Sequence, residues 1–195
     1  MQNDFIFNNG FPHINNDIVK HVITSIPLET YSNVSKRVTT NEINFLINGT
    51  SMSFPYRLYA LEVEESVFLK TSFTERMILH CIYTRSCDGY VREKHIKALL
   101  SSDFPNWAIP YIVKICDEYV LEILQTVYNR LRDRNTDEFK AFCSENSELF
   151  RKSYNRMISY WNAYYRNEYF KYKDYIGWKL FVDRFGADHI IYHPK

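Results

Sequence analysis

The sequence predicts a mainly α protein: a multi-helix core with one β-hairpin near its N-terminus. Three observations carry this. From about Thr71 onward, apolar residues recur at intervals of three and four, the period of a helix face. Only one region, residues 42–60, alternates apolar and polar residues with the period of a strand. The composition, 46% hydrophobic and 24% charged over 195 residues, suits a chain that buries a core without disulfides or metals to staple it.

The first 40 residues are polar and Asn-rich, with Pro12 and Pro27 bracketing a short helix expected over residues 17–25. Ile43, Phe45 and Ile47 then alternate with polar neighbours, and Met52, Phe54, Tyr56, Leu58 and Ala60 do so again. Asn48-Gly49 lies between the two runs, the strongest short-range signal for a hairpin. Pro55 suits an edge strand. Phe73, Met77, Ile78, Cys81 and Ile82 form a first helical stripe; Val91, His95, Ile96, Leu99 and Leu100 form a second. Residues 107–134 read as one long central helix, with Pro110 in its first turn. Helices follow over 136–143 and 145–169, and another over 170–185 is expected to break near Gly177. Ile190-Ile191-Tyr192 reads as a short strand or an ordered tail. With no linker and no low-complexity stretch, the expectation is one domain, residues 1–195. It comprises a polar segment with the hairpin (1–70) and a helical core (71–195).

Composition narrows the function. Cys81, Cys87, Cys116 and Cys143 form no C-x-x-C pair, so reduced thiols in a cytoplasmic protein are expected. No segment reads as a signal peptide or membrane span, so no membrane partner is expected. The five glycines are too scattered for a phosphate-cradling loop, and neither G-x-S-x-G nor H-E-x-x-H occurs. No cofactor and no metal are expected. The net charge of +1 is uneven: residues 61–150 hold 11 basic and 15 acidic groups, whereas residues 151–195 hold nine and four. A basic end attracts anionic partners, and head-to-tail pairing with the acidic middle would give self-association.

The segment Asp88-Gly-Tyr-Val91-Arg92-Glu-Lys-His-Ile96-Lys-Ala98-Leu99-Leu100 resembles the second helix of a HEAT repeat, where D-x-x-V-R precedes an apolar helix with an Ala-Leu pair. With its flanking helices the resemblance covers a single repeat within residues 73–133. It implies HEAT-like packing of helix pairs in the middle of the chain, structural roles for Asp88 and Arg92, and a function in protein binding. Arg184-Phe-Gly-Ala-Asp-His189 has the R-x4-H spacing that resembles the motif of HEPN ribonucleases. That resemblance implies that Arg184 and His189 act on the scissile phosphate and the 2′-hydroxyl of RNA, without a metal.

Several side chains are candidates for a site, each with a plainer explanation. Arg85, Asp88 and Arg92 would present a polar binding corner; a helix cap and ion pairing with Glu118 or Glu122 explain them without a ligand. Asp117, Glu118 and Glu122 would bind metal, yet no partner helix offers E-x-x-H, and a solvated or ion-paired face suffices. Asp188, His189 and His193 lack a defined further ligand. Residues 151–184 mix cationic and aromatic side chains, which suits stacking on single-stranded nucleic acid. Much of that segment also fits a core stripe: Phe150, Tyr154, Met157, Ile158, Trp161, Tyr164 and Tyr165. The residues expected at a surface there are Arg166, Lys171, Tyr172, Lys173 and Tyr175. The reading is a non-catalytic cytoplasmic module that binds a protein partner through helix faces or this Tyr-rich surface. The alternative is binding of nucleic acid through the basic C-terminal third.

Overall fold

The computed structural model describes residues 7–31, 34, 36–39 and 41–192. Among them it is 60% helical, with ten α-helices and one two-stranded antiparallel hairpin. The fold is mainly α. The chain divides into two compact units, residues 1–99 and 100–195, and the expected internal division at 70/71 falls inside the first.

In the first unit, a 3-10 turn at Asn8–Gly10 lies between buried Phe7 and Phe11. Helix α1 (Asn16–Ser25) starts where Asn15 Oδ1 accepts the Asp17 N–H at 2.8 Å, an N-cap that satisfies one orphan donor of the first turn. Strands β1 (Glu42–Ile47) and β2 (Thr50–Pro55) pair with Ile47 opposite Thr50, so Asn48 and Gly49 alone form the loop. Their φ angles are 51° and 75°, the left-handed values that a two-residue type I′ turn requires. One face of the hairpin buries Phe45, Ile47, Met52 and Phe54, and the Phe45 and Phe54 rings lie 5.5 Å apart.

The alternation predicted beyond Pro55 persists, burying Leu58 and Ala60, but no third long strand forms. Residues 56–61 are instead a strap whose backbone is satisfied on both sides. Toward residues 29–39, Tyr59 N donates to Arg37 O and Tyr31 N to Tyr59 O; on the other side, Leu58 N donates to Arg85 O and Cys87 N to Leu58 O. A short helix missed by the periodicity, α2 (Glu65–Lys70), follows. Helix α3 (Phe73–Tyr83) opens on a capping box in which Ser72 and Glu75 exchange side chain-to-backbone bonds. Helix α4 (Gly89–Leu100) starts beside Asp88, whose Oδ1 accepts the Tyr90 N–H at 2.8 Å.

In the second unit, the long helix predicted over 107–134 is two. A 3-10 turn at Asn106–Ala108 leads into α5 (Ile109–Ile115); residues 116–120 break the helix, and α6 (Leu121–Leu131) resumes it. All seven residues of α5 are buried, whereas α6 buries only one stripe. Averaged together, the two patterns imitate one broad apolar face, which is why periodicity joined them. Helix α7 (Asp137–Glu145) and helix α8 (Ser147–Tyr160) follow, and α8 runs into a π-helical turn at Trp161–Tyr165. After a 3-10 turn at Tyr172–Asp174 comes α9 (Ile176–Lys179), which widens into a second π-helical turn at Leu180–Arg184. The break expected near Gly177 therefore falls before it, and Gly177 lies inside the helix.

The C-terminal segment read as strand or tail is helix α10 (Ala187–Tyr192). Gly186, at φ 72°, reverses the chain between it and the preceding turn. The core of this unit is aromatic: Phe150 stacks on Phe181 at 5.3 Å and Phe139 on Phe185 at 5.8 Å.

Two glycines test this account by urea unfolding. Gly49 has open space around it but a positive φ, so Gly49→Ala is expected to cost about 1 kcal/mol through backbone strain alone. At Gly177 an added Cβ meets the Tyr175 ring and Met157 Cγ, so Gly177→Ala is expected to cost about 1–3 kcal/mol by overpacking.

Candidate functional site

The polar corner between α3 and α4 is an internal joint. Arg85 is fully buried, and its Nη2 donates to Tyr56 O at 2.7 Å. Its guanidinium also lies 5.8 Å from the Tyr56 ring centroid. Arg92 is buried as well; its Nη1 donates to Ser86 O at 2.8 Å and Cys87 O at 3.0 Å. Asp88 caps α4, and Tyr90 beside it is exposed. Of the three residues expected at a binding corner, both arginines are thus spent on backbone carbonyls of the strap and the turn.

Beside this joint lies a hydrogen-bonded chain that the sequence reading missed. His95, wholly buried on α4, contacts Glu62 Oε1 through Nε2 at 2.8 Å and His80 Nδ1 through its own Nδ1 at 2.9 Å. Lys94 Nζ donates to the same Glu62 oxygen at 2.6 Å. The Phe68 ring stacks on His80 at 5.4 Å, and Tyr83 lies against His95 at 4.7 Å. Tyr83 OH in turn donates to Leu61 O and accepts from Val63 N.

Burial, then the neighbouring His95, Arg76 and Lys94, push His80 down to about 3; burial also lowers His95. The hydrogen bond from His95 leads the causes that hold Glu62 down at about 2. Near neutral pH the chain therefore consists of a carboxylate and two neutral imidazoles. A carboxylate only accepts, so His95 donates from Nε2 and accepts at Nδ1 from His80, which leaves His80 Nε2 with a lone pair. The signal for this pairing was present: His80 lies seven residues before Cys87 and His95 seven after Asp88, equidistant from the turn of an antiparallel helix pair. Among the described residues no group of three or more His, Cys, Asp or Glu could hold a metal ion.

The second unit carries the exposed aromatic surface. Its foundation is a buried ion pair in the break between α5 and α6. Lys114 and Asp117 are both buried and paired; Ser153 Oγ on α8 donates to Asp117 Oδ2 at 2.9 Å, and Arg156 approaches it at 3.7 Å. The acids of this segment are thus not one solvated face: Asp117 and Glu118 are buried, and Glu122 is exposed. The pair pins the break against α8 and sets Tyr119 beside Tyr160, with ring centroids 5.8 Å apart.

The π-helical turn then decides which rings face outward. Phe150, Tyr154 and Met157 are buried as the stripe predicts. A π turn takes more residues per revolution than an α turn, so the stripe slips at 161–165. Tyr164, expected in the core, is 65% exposed, while Tyr165 stacks on buried Tyr175 at 5.6 Å and its hydroxyl donates to Tyr119 O. Trp161 is held by its Nε1 donating to Tyr169 O at 3.0 Å and by the Tyr172 ring at 4.8 Å.

Of the surface residues expected here, Arg166, Lys171 and Lys173 are exposed, Tyr172 is half-buried under Trp161, and Tyr175 is buried. Lys173 Nζ lies 6.0 Å from the Trp178 ring centroid. The most exposed ring of this segment, Phe170 at 84%, sits next to Lys171 and was not singled out from the sequence. Tyr119, within the long helix expected over residues 107–134, is 52% exposed at the break that divides it.

Arg184 and His189 are separated by Gly186, so the R-x4-H spacing does not lie on one helix. Arg184 instead lies over the Tyr128 ring, 5.3 Å from its centroid, and exposed His189 sits 3.6 Å from Asp188. His193 lies outside the described residues. Among the described residues, no helix is long and apolar enough to cross a membrane. Comparison of the chain with protein-family models, curated proteins and solved structures finds no match.

Two measurements check the first unit. Arg85→Met removes the donor to Tyr56 O, and a loss of about 1–3 kcal/mol in unfolding free energy is expected. The second concerns acid. His80 and His95 have folded values below their unfolded ones, so their contribution is complete above about pH 6.5 and declines as pH falls below it, for His80 down to about 3. Glu62 adds a loss between its unfolded value of 4.5 and about 2. Stability is expected to fall with a limiting slope of about 1.4 kcal/mol per pH unit for each proton taken up on unfolding. The slope between pH 6 and 4 is expected to flatten in His80→Gln. A slope unchanged in that variant would locate the acid sensitivity elsewhere.

Proposed function

We propose that this chain is a non-catalytic, cytoplasmic interaction module that binds a partner protein through the tyrosine-rich surface of its second unit. In this reading, HEAT-like pairing of α3 and α4 serves as scaffold rather than as binding surface. The observation that carries the proposal is the exposure of Tyr164 and Phe170 in the aromatic segment, and of Tyr119 in the helix break beside it, with exposed Arg166 and Lys171 next to them in sequence. Large exposed rings beside arginine are the composition of interface hot spots, because each ring buries much area at small entropic cost. The backbone that carries these rings is also held in place before any partner arrives: the Tyr165 hydroxyl, next to Tyr164, is tied to the Tyr119 carbonyl, and Trp161 to that of Tyr169, next to Phe170. Preorganised anchors lose little further freedom on docking.

A second reading, single-stranded nucleic acid, is favoured by one local observation. Phe170, Lys171 and Lys173 are exposed within four residues of one another, which offers a ring for stacking and two cations for phosphates. The basic balance of residues 151–195 supports it as well.

The test is capture from native lysate by wild type, Tyr164→Ala and Lys171→Glu/Lys173→Glu, with and without nuclease, at 0.1 and about 0.3 M salt. The proposal expects a protein identified by mass spectrometry, insensitive to nuclease and lost in Tyr164→Ala. Recovery of nucleic acid alone, lost at the higher salt and in the charge-reversed variant, would overturn it in favour of the second reading.

A further inference from the structure

Three rings of this surface are arranged differently from the rest. Tyr119, Tyr160 and Tyr164 are mutual neighbours: their centroids lie 5.8, 6.1 and 6.2 Å apart, with interplanar angles of 66°, 48° and 28°. Each comes from a separate piece of backbone: the break between α5 and α6, the end of α8, and the π-helical turn. A second such triangle in the unit, Phe150, Phe181 and Phe185, is wholly buried. Here Tyr119 and Tyr164 are 52% and 65% exposed and Tyr160 is half-buried, so the triangle lies at the surface.

Aromatic faces carry negative quadrupole density and attract cations. A cation centred over this triangle lies within about 6 Å of all three centroids at once, the reach of a cation–π contact. The charges nearby reinforce that attraction. Glu122 and Glu168 stand close enough to Tyr165 to help raise its phenol, after burial, and that hydroxyl is bonded to the Tyr119 carbonyl. Both acids are exposed. The cations on the same stretch are turned to other partners: Arg156 faces Asp117 at 3.7 Å, and Arg166 donates to Asn162 Oδ1 at 3.3 Å.

We infer that the Tyr119–Tyr160–Tyr164 triangle is an aromatic cage for a methylated ammonium group, carried by the docking partner as a methylated lysine. The inference rests on the docking reading above and names the chemistry recognised. Ring faces offer no acceptors to replace the hydration of a primary ammonium, which is strongly hydrated. A trimethylammonium has no N–H to satisfy and keeps its full charge, so it gains most from rings alone. Glu122 and Glu168 also oppose the phosphate that accompanies choline in a lipid headgroup, which favours a protein source.

The experiment titrates the full chain with Nε-trimethyllysine amide, with its neutral isostere in which a tert-butyl group replaces the trimethylammonium, and with unmodified lysine amide, read by NMR of the tyrosine ring signals. Trimethyllysine is expected to shift the ring signals of Tyr119, Tyr160 and Tyr164 and to bind about tenfold more tightly than either control. Tyr164→Ala is expected to weaken it about tenfold, and Tyr164→Phe, which keeps the ring, to stay within about twofold. Equal binding of the isostere would reduce the site to an apolar patch and overturn the inference. Tighter binding of phosphatidylcholine vesicles, with the same dependence on Tyr164, would overturn the protein source. Partner capture that depends on Tyr164 but resists competition by trimethyllysine would overturn the cage and leave docking intact; capture indifferent to Tyr164 would overturn both.

Discussion

The first unit depends on satisfying the backbone of one extended strap without building a sheet. Residues 56–61 run alone after the hairpin, and buried peptide groups left without partners would each cost about 1–3 kcal/mol. The chain meets this need with Glu29, Tyr31, Arg37 and Thr39 on one side and the α3–α4 turn on the other. Two buried arginines complete it. Arg85 reaches back to Tyr56 O, and Arg92 holds the turn by the carbonyls of Ser86 and Cys87. Because the turn is fixed to the strap, the register of α3 against α4 is fixed too. His80 then meets His95, and Glu62, at the strap's end, closes the chain of hydrogen bonds.

The second unit solves a different problem. Its segment 151–184 is crowded with rings, and a uniform α-helix would carry the stripe of Phe150, Tyr154 and Met157 on along one face. Two π-helical turns divide them instead. Upstream rings fill the core, Tyr164 turns outward, and Tyr165 and Tyr175 form the layer between. Tyrosine suits that layer because an apolar body can be covered while the hydroxyl finds a carbonyl or water. The buried Lys114–Asp117 pair is the other fixed point. Such pairs add little net stability, but they resist rearrangement, since separating the partners strands a charge. Here the pair holds the helix break that brings Tyr119 to Tyr160.

Much of the fold was legible because it follows from local rules. Asn48-Gly49 set the hairpin register, Asp88 marked a helix start, and the stripes of α3 and α4 matched their buried faces except at Phe73, which is 52% exposed at the first turn of α3. The failures share a cause. Periodicity assumes 3.6 residues per turn and a constant environment, so it joined α5, buried on all sides, to amphipathic α6. It also carried the stripe of α8 through a π turn and placed Tyr164 in the core. The site was legible only in composition: a basic, aromatic C-terminal third. Which rings emerge depends on tertiary constraints, the Asp117–Ser153 bond and the Tyr165–Tyr119 bond, that no local pattern encodes. Arg85 and Arg92 show the converse, since charge suggested exposure and unpaired carbonyls drew them inside.

The π-helical turn at Trp161–Tyr165 also makes this surface sensitive to length. Such a turn amounts to one residue inserted into an α-helix. Removing any single residue from it would restore ordinary helical phase and rotate everything downstream by about 100° relative to α8. The outward tyrosines would leave their present face although nearly every side chain was retained. Point substitutions erode such a surface one ring at a time. A one-codon deletion would dismantle it at a stroke, so descendants of this sequence that keep the surface are bound to keep the spacing between Tyr160 and Tyr175 as strictly as the tyrosines themselves.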